Sequence, residues 1–179
     1  MFDSAQKSTL LKLARDAIRT YLESQTEITP SADEFLNHPG AAFVTLKIEE
    51  ELRGCIGSTE GSEPLGLTVI HCAISAAFRD PRFPPLSIEE YPFVNLEISV
   101  LSPFRRVMNP EEVIAGTHGI MLTRNYYRGL LLPQVAVEYE WDRETFLSFT
   151  CRKAGLPPDA WKDPDTIIEI FTAEVFGED

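Results

Sequence analysis

Ala42-Phe43-Val44-Thr45-Leu46-Lys47-Ile48, Glu49-Glu50-Glu51, Leu52-Arg53-Gly54-Cys55-Ile56-Gly57: two short apolar runs stand on either side of three acidic residues. In the first run Val44, Leu46 and Ile48 alternate with Thr45 and Lys47, the period of a half-buried strand. Three adjacent carboxylates repel one another in a core and are comfortable in a hydrated turn. The second run then returns as the other arm of a hairpin. If alternation is strict, Arg53 and Cys55 share one face of this arm, and Leu52, Gly54 and Ile56 share the other.

Outward from the hairpin, helices and strands follow without the regular βαβ alternation of a parallel sheet. A first helix is expected from about residue 4 to 23. Asp3 and Gln6 have capping-box spacing, and Leu10, Leu13, Ala14, Ala17, Ile18 and Tyr21 form one apolar face. Residues 25–40 read as a loop with one helical turn at 31–37. Residues 64–78, rich in Ala and Ile, read as a helix buried on more than one side, stopped by Asp80-Pro81. Val94, Leu96, Ile98 and Val100 alternate with polar residues, which predicts a central strand over 94–102.

Asn109-Pro110 starts a short helix that Gly116 closes. A second hairpin is expected from 120–123 and 129–132, a helix from Asp142 to Gly155, and one last strand over 166–175. Strands joined by hairpins and interrupted by helices argue for an α+β fold with mainly antiparallel sheets flanked by helices.

Composition narrows the function classes. The chain has 179 residues, 44% hydrophobic and 25% charged, enough for a real core. Its net charge of −12 opposes binding to nucleic acid and to anionic membranes. The first residues lack the apolar centre of a signal peptide, and no run has the length of a membrane span. Three cysteines at 55, 72 and 151 make no disulfide framework, so a reduced, cytoplasmic protein is expected. There is no HxxxH or CxxC spacing, no GxGxxG and no phosphate-binding loop, so neither metal nor cofactor is expected.

The candidate chemistry centres on Cys55. A guanidinium beside a thiol favours the nucleophilic thiolate, which makes Arg53 and Cys55 candidate catalytic residues, with His118 as candidate base. Gly54 and Gly57 permit close approach of a ligand or a backbone. Arg82, between two prolines, is suited to hold a carboxylate or phosphate bidentately. Each has a structural alternative. Cys55 can be an inert core thiol, His118 a turn cap, and Arg82 the partner of Asp80. His71, next to Cys72, reads as a satisfied core histidine. Glu138-Tyr139-Glu140-Trp141-Asp142 offers carboxylates on a solvated edge.

The hexapeptide 52–57 resembles the signature of the AMMECR domain family. The resemblance continues through Phe43-Val44-Thr45-Leu46, Ala76-Ala77-Phe78-Arg79-Asp80-Pro81-Arg82-Phe83 and Ile98-Ser99-Val100-Leu101-Ser102-Pro103. Further on it includes Gly116-Thr117-His118-Gly119-Ile120, Leu131-Leu132-Pro133-Gln134-Val135 and Cys151-Arg152-Lys153-Ala154-Gly155-Leu156. Gln134 joins Gly54, Gly57 and Arg82 as a candidate ligand-binding residue because it lies in one of these segments.

The resemblance implies two unequal lobes, with the signature near a groove between them. Arg53, Cys55, Arg82 and His118, each at a turn or at the end of an element, are expected to line one cavity, and a smaller lobe around 28–88 within a larger one of 1–27 plus 89–179 is the division the resemblance implies. The resemblance also implies association with a Memo-like protein and a radical SAM protein. Two function classes follow: an enzyme or enzyme-associated subunit using Cys55, or a binding module anchored by Arg53 and Arg82.

Overall fold

The computed structural model describes residues 1–178. Five helices and two four-stranded sheets are arranged in two compact units, one of Met1–Leu101 plus the chain from Glu174 onward, the other Ser102–Ala173. Residues 28–88, set apart above as a smaller lobe, fall inside the first unit.

In the first unit, α1 spans Ser4–Ser24, and Asp3 caps it with a complete capping box. Asp3 Oδ1 accepts from the Gln6 N–H at 2.8 Å and Gln6 Oε1 from the Asp3 N–H at 3.0 Å. The loop that follows holds the single helical turn α2, Glu34–Asn37. β1 (Ala41–Ile48) and β2 (Glu51–Ser58) form the antiparallel hairpin, and β3 (Asn95–Leu101) pairs antiparallel with the other side of β1. In the sheet, β3 lies between β1 and a strand near the C-terminus, so β3 is interior, as its alternation demanded.

α3 (Leu65–Phe78) is buried on several sides, and Val69, Ala73, Ala76 and Ala77 meet Val44, Leu46, Leu96 and Ile98 from the sheet in one apolar cluster. α1 enters the same cluster through Leu10, Ala14 and Ile18. Each fully buried Leu or Ile contributes about 1.5–3 kcal/mol. One sheet face is therefore committed to helices, while the other carries the buried Ser99 together with Phe43, Thr45, Cys55 and Glu97, the last four not fully buried.

The hairpin departs from strict alternation at one position. Leu46 pairs with Gly54 but Lys47 pairs with Leu52, so Arg53 is the extra residue of a β-bulge. Leu52 and Gly54, expected on one face, therefore stand on opposite faces. The turn is also tighter than the three-glutamate turn expected, because Glu51 pairs with Ile48 and only Glu49 and Glu50 connect the strands, with φ of 51° and 66°. Both lie in the left-handed region that a two-residue hairpin of this twist requires.

The second unit contains β4 (Arg105–Val107), β5 (Gly119–Arg124), β6 (Tyr127–Leu131), α4 (Pro133–Glu138), α5 (Arg143–Lys153) and β7 (Ile167–Phe171), with sheet order β4-β7-β5-β6. α5 has the expected ends: Asp142 Oδ1 accepts from the Thr145 N–H at 2.8 Å, and Gly155 takes φ +78° beyond the C-terminus. Phe146, Leu147 and Cys151 of α5 pack with Ile120, Leu122, Ile168 and Ile170 of the sheet. The expected helix after Asn109 shrinks to a 3-10 turn, Pro110–Glu112.

The last strand is not one but two. β7 ends at Phe171, and β8 (Ala173–Gly177) belongs to the other sheet. The break is at Thr172, whose backbone is tied to Ser102: the Ser102 N–H donates to Thr172 O and the Thr172 N–H to Ser102 Oγ, both at 2.9 Å.

Candidate functional site

Cys55 lies on the face of the first sheet that no helix of its unit covers. Directly opposite is Thr45, whose hydroxyl donates to Cys55 Sγ at 3.3 Å, and opposite Thr45 on β3 is Glu97. Directly opposed residues on paired strands project from the same face. A thiol, a hydroxyl and a carboxylate thus form one row across three strands. Lys47 Nζ lies 3.1 Å from Glu97 Oε2 and holds that carboxylate at the margin of the row. Thr45 and Glu97 were not singled out in the sequence. Counting back from the turn at Glu49-Glu50 places Gly54 across from Thr45; the bulge at Arg53 shifts the pairing by one residue and brings Cys55 there, and Glu97 depends on the long-range register of β1 with β3.

Cys55 is half-buried, whereas Cys72 and Cys151 are 4% and 0% exposed. Burial pushes the Cys72 thiol up to about 11, and burial raises Cys151 as well. Cys72 Sγ donates to Ala42 O at 3.6 Å and also meets the Ser58 backbone.

The Cys55 backbone is held by side chains. β2 is an edge strand, and the Cys55 N–H donates to Asp80 Oδ2 at 3.0 Å while the Cys55 carbonyl accepts from Arg82 Nη2 at 3.1 Å. One acceptor and one donor therefore occupy these groups much as a neighbouring strand would. Asp80 is 4% exposed and also accepts from the Arg82 N–H, Nε and Nη2 at 3.1, 2.9 and 2.7 Å. The hydrogen bonds from Arg82 are the main cause holding the Asp80 carboxyl well below the usual carboxylate range, against the opposing effect of burial. Of the two readings of Arg82, the structure displays the internal pair with Asp80.

Arg53 uses its bulge position differently. Its side chain is 10% exposed, and its guanidinium donates from Nε and Nη2 to the two oxygens of Glu90 at 2.8 and 3.0 Å, and from Nη2 to Pro84 O at 3.0 Å. Arg53 brings the Glu90 carboxyl down to about 2, helped by the Ser87 N–H. Phe83 lies against both cations, 5.8 Å from Arg53 Cζ and 5.5 Å from Arg82 Cζ. The signature arginine and the Asp80–Arg82 pair thus fix the 80–90 segment against the hairpin.

Both signature glycines have packing reasons. A Cβ on Gly54 would overlap the Ala76 carbonyl of α3, and one on Gly57 would overlap the Phe43 ring lying across it.

The remaining candidates belong to the second unit. His118 is half-buried, and its Nδ1 accepts the Ile114 N–H at 3.1 Å while its own N–H donates to Ile114 O at 2.9 Å. It closes the turn before β5. Gln134 is the second residue of α4 and half-buried. His71, expected in the core, is instead at the surface of the first unit with its side chain 44% exposed, 3.0 Å from Glu63 and 3.4 Å from Glu27. It occupies the polar margin of a helix whose other sides are covered. Among the described residues no three His, Cys, Asp or Glu side chains gather closely enough to hold a metal ion, and no helix is long and apolar enough to cross a membrane.

The AMMECR1 family model matches residues 11–176. A protein of Nanoarchaeum equitans is 44% identical, the alignment covering 95% of this chain and 99% of its own. One of Methanopyrus kandleri is 47% identical over 95% of this chain and 87% of its own. The crystal structure of an uncharacterized protein from Pyrococcus horikoshii matches with a TM-score of 0.90 at 43% identity, covering 95% of this chain and 90% of that one.

Proposed function

This chain belongs to the AMMECR1 family, and from that premise we propose that it is an enzyme or enzyme-associated subunit whose working group is the Cys55 thiol. The observation that carries the reading is the contrast among three cysteines. Two are sealed in apolar cores, while Cys55 stands half-buried on a polar sheet face with a hydroxyl donor at 3.3 Å. A structural cysteine has no need of that setting.

Thr45 orients the sulfur, and Glu97 supplies a carboxylate in the same cross-strand row. Arg53 and Arg82 act by positioning, because their guanidinium groups are engaged with Glu90 and Asp80. The partners proposed are a Memo-like protein and a radical SAM protein, which the family resemblance supports, and the working compartment is the cytoplasm.

Alkylation of the native protein with iodoacetamide, mapped by mass spectrometry, tests the reading. Cys55 should be modified while Cys72 and Cys151 stay protected until denaturant is added. Thr45→Val should change the Cys55 rate without changing stability by more than about 1 kcal/mol. Cys55 remaining unmodified in the native state would remove the basis of the proposal. Copurification with the Memo-like and radical SAM proteins tests the partners separately.

A further inference from the structure

The stretch Glu138-Tyr139-Glu140-Trp141-Asp142 has no part in the Cys55 site, yet it builds an unusual surface. Tyr139 and Trp141 stack with ring centroids 5.0 Å apart and planes at 20°, and Trp141 stacks on Phe149 of α5 at 4.1 Å and 16°. Arg152 completes the series, its Cζ 5.0 Å from the Phe149 centroid.

Large rings normally bury themselves, but Tyr139 is 59% exposed, Phe149 37%, and neighbouring Val137 63%. The backbone is bent to present them. Glu140 has φ 52°, and the Trp141 N–H reaches back to Ala136 O at 2.9 Å, closing a turn that glycine would adopt more easily. A non-glycine residue adopts that conformation at a cost.

The two ends of the stack differ. The Phe149 end is closed by a cation of the chain itself. Among the described residues no Lys or Arg lies over Tyr139 at the other end, where Glu138 and Glu140 are both exposed, with exposed Asp142 and Glu144 beyond. The nearby Arg143 is turned aside to Glu111 O at 3.4 Å. Stacked rings carry negative potential on their faces, and surrounding carboxylates add to it.

We propose that Tyr139, Trp141 and Phe149, with Glu138 and Glu140, form a docking surface for a basic segment of a partner protein. An Arg or Lys of the partner covers the open face of Tyr139 as Arg152 covers Phe149. Exposed Tyr and Trp are also the residue types that most often carry binding energy at protein interfaces.

The test titrates the full chain, labelled with ¹⁵N, with a hepta-arginine peptide, a hepta-glutamate peptide and an oligothymidylate. The chain has only two tryptophans, so the Trp161 indole serves as an internal reference for the Trp141 indole. Saturable shifts of the Trp141 indole and of residues 138–142 are expected with hepta-arginine alone. Tyr139→Ala should weaken binding by about two- to fivefold, with Tyr139→Phe unchanged. Glu140→Gln should weaken it while leaving the rings in place, which keeps the test valid even where Tyr139→Ala folds poorly. Shifts spread over the acidic surface and indifferent to both Tyr139 and Glu140 would refute the proposal. So would a stronger response to oligothymidylate, or self-association that Tyr139→Ala abolishes, since the surface would then serve nucleic acid or a second copy.

Discussion

Replacing Asp80 by alanine should destabilise the first unit by about 2–4 kcal/mol. The Asp80 side chain is 2% exposed and accepts four hydrogen bonds, three from Arg82 and one from the Cys55 N–H. Loss of the acceptor leaves a strand-edge N–H without its partner, which costs about 1–3 kcal/mol. The ion pair adds about 1 kcal/mol at most, because the Arg82 side chain is 53% exposed and water screens it. A fully buried pair would cost more.

The pH dependence has a definite sign. Asp80 titrates below its ordinary value in the native state, so its contribution is complete above about pH 4 and is lost as pH falls through the native value. Asp80→Asn should therefore flatten the acid limb of stability as well as lower it at neutral pH. Urea unfolding followed by far-UV circular dichroism reports the helices. Tryptophan fluorescence reports the second unit alone, since Trp141 and Trp161 both lie there. A loss below about 0.5 kcal/mol in Asp80→Ala, or no coupling in a double-mutant cycle with Arg82→Ala, would refute this account of the strand edge.

Gly54→Ala should cost about 3 kcal/mol or more, or prevent folding, because the new methyl meets a backbone carbonyl of α3 that has no flexible way to yield; thermal melts decide it. Glu49→Asn with Glu50→Gly should raise stability by about 1 kcal/mol by suiting the left-handed turn, read as a shift of the urea midpoint at constant slope. Glu90 should contribute to stability above about pH 4 and lose that contribution as pH falls towards about 2; Arg53→Met should abolish this segment of the pH profile. Thiol titration with a disulfide reagent should count one fast cysteine in the native protein, absent in Cys55→Ser, and three after unfolding.

Local chemistry alone determined much of this protein. The capping pair of Asp3 and Gln6, the stop at Asp80-Pro81, the hairpin over 42–57, the strand of alternating Val94 to Val100 and the helix between Asp142 and Gly155 each follow from periodicity and end signals within a few residues. Together they were enough for an antiparallel α+β fold, and the order of motifs was enough for the family. β4, a strand of two arginines and a valine, and α4, with a single turn and a half, were too short to show a period.

What escaped the sequence shares one cause: it depends on which distant segment supplies the partner. The bulge at Arg53 comes from the register of β2 on β1, so the guanidinium meets Glu90, 37 residues away, as the thiol meets Thr45. The split at Thr172 between β7 and β8 reflects two sheets competing for one apolar run, and neither sheet edge is visible in that run itself. Glu97 enters the Cys55 row only through the β1–β3 register. The exposed stack of Tyr139, Trp141 and Phe149 requires the left-handed turn at Glu140 to set the residues that follow α4 against Phe149 of α5. Side-chain identity was legible in the chain, but the neighbours that give each side chain its chemistry were decided by tertiary pairing.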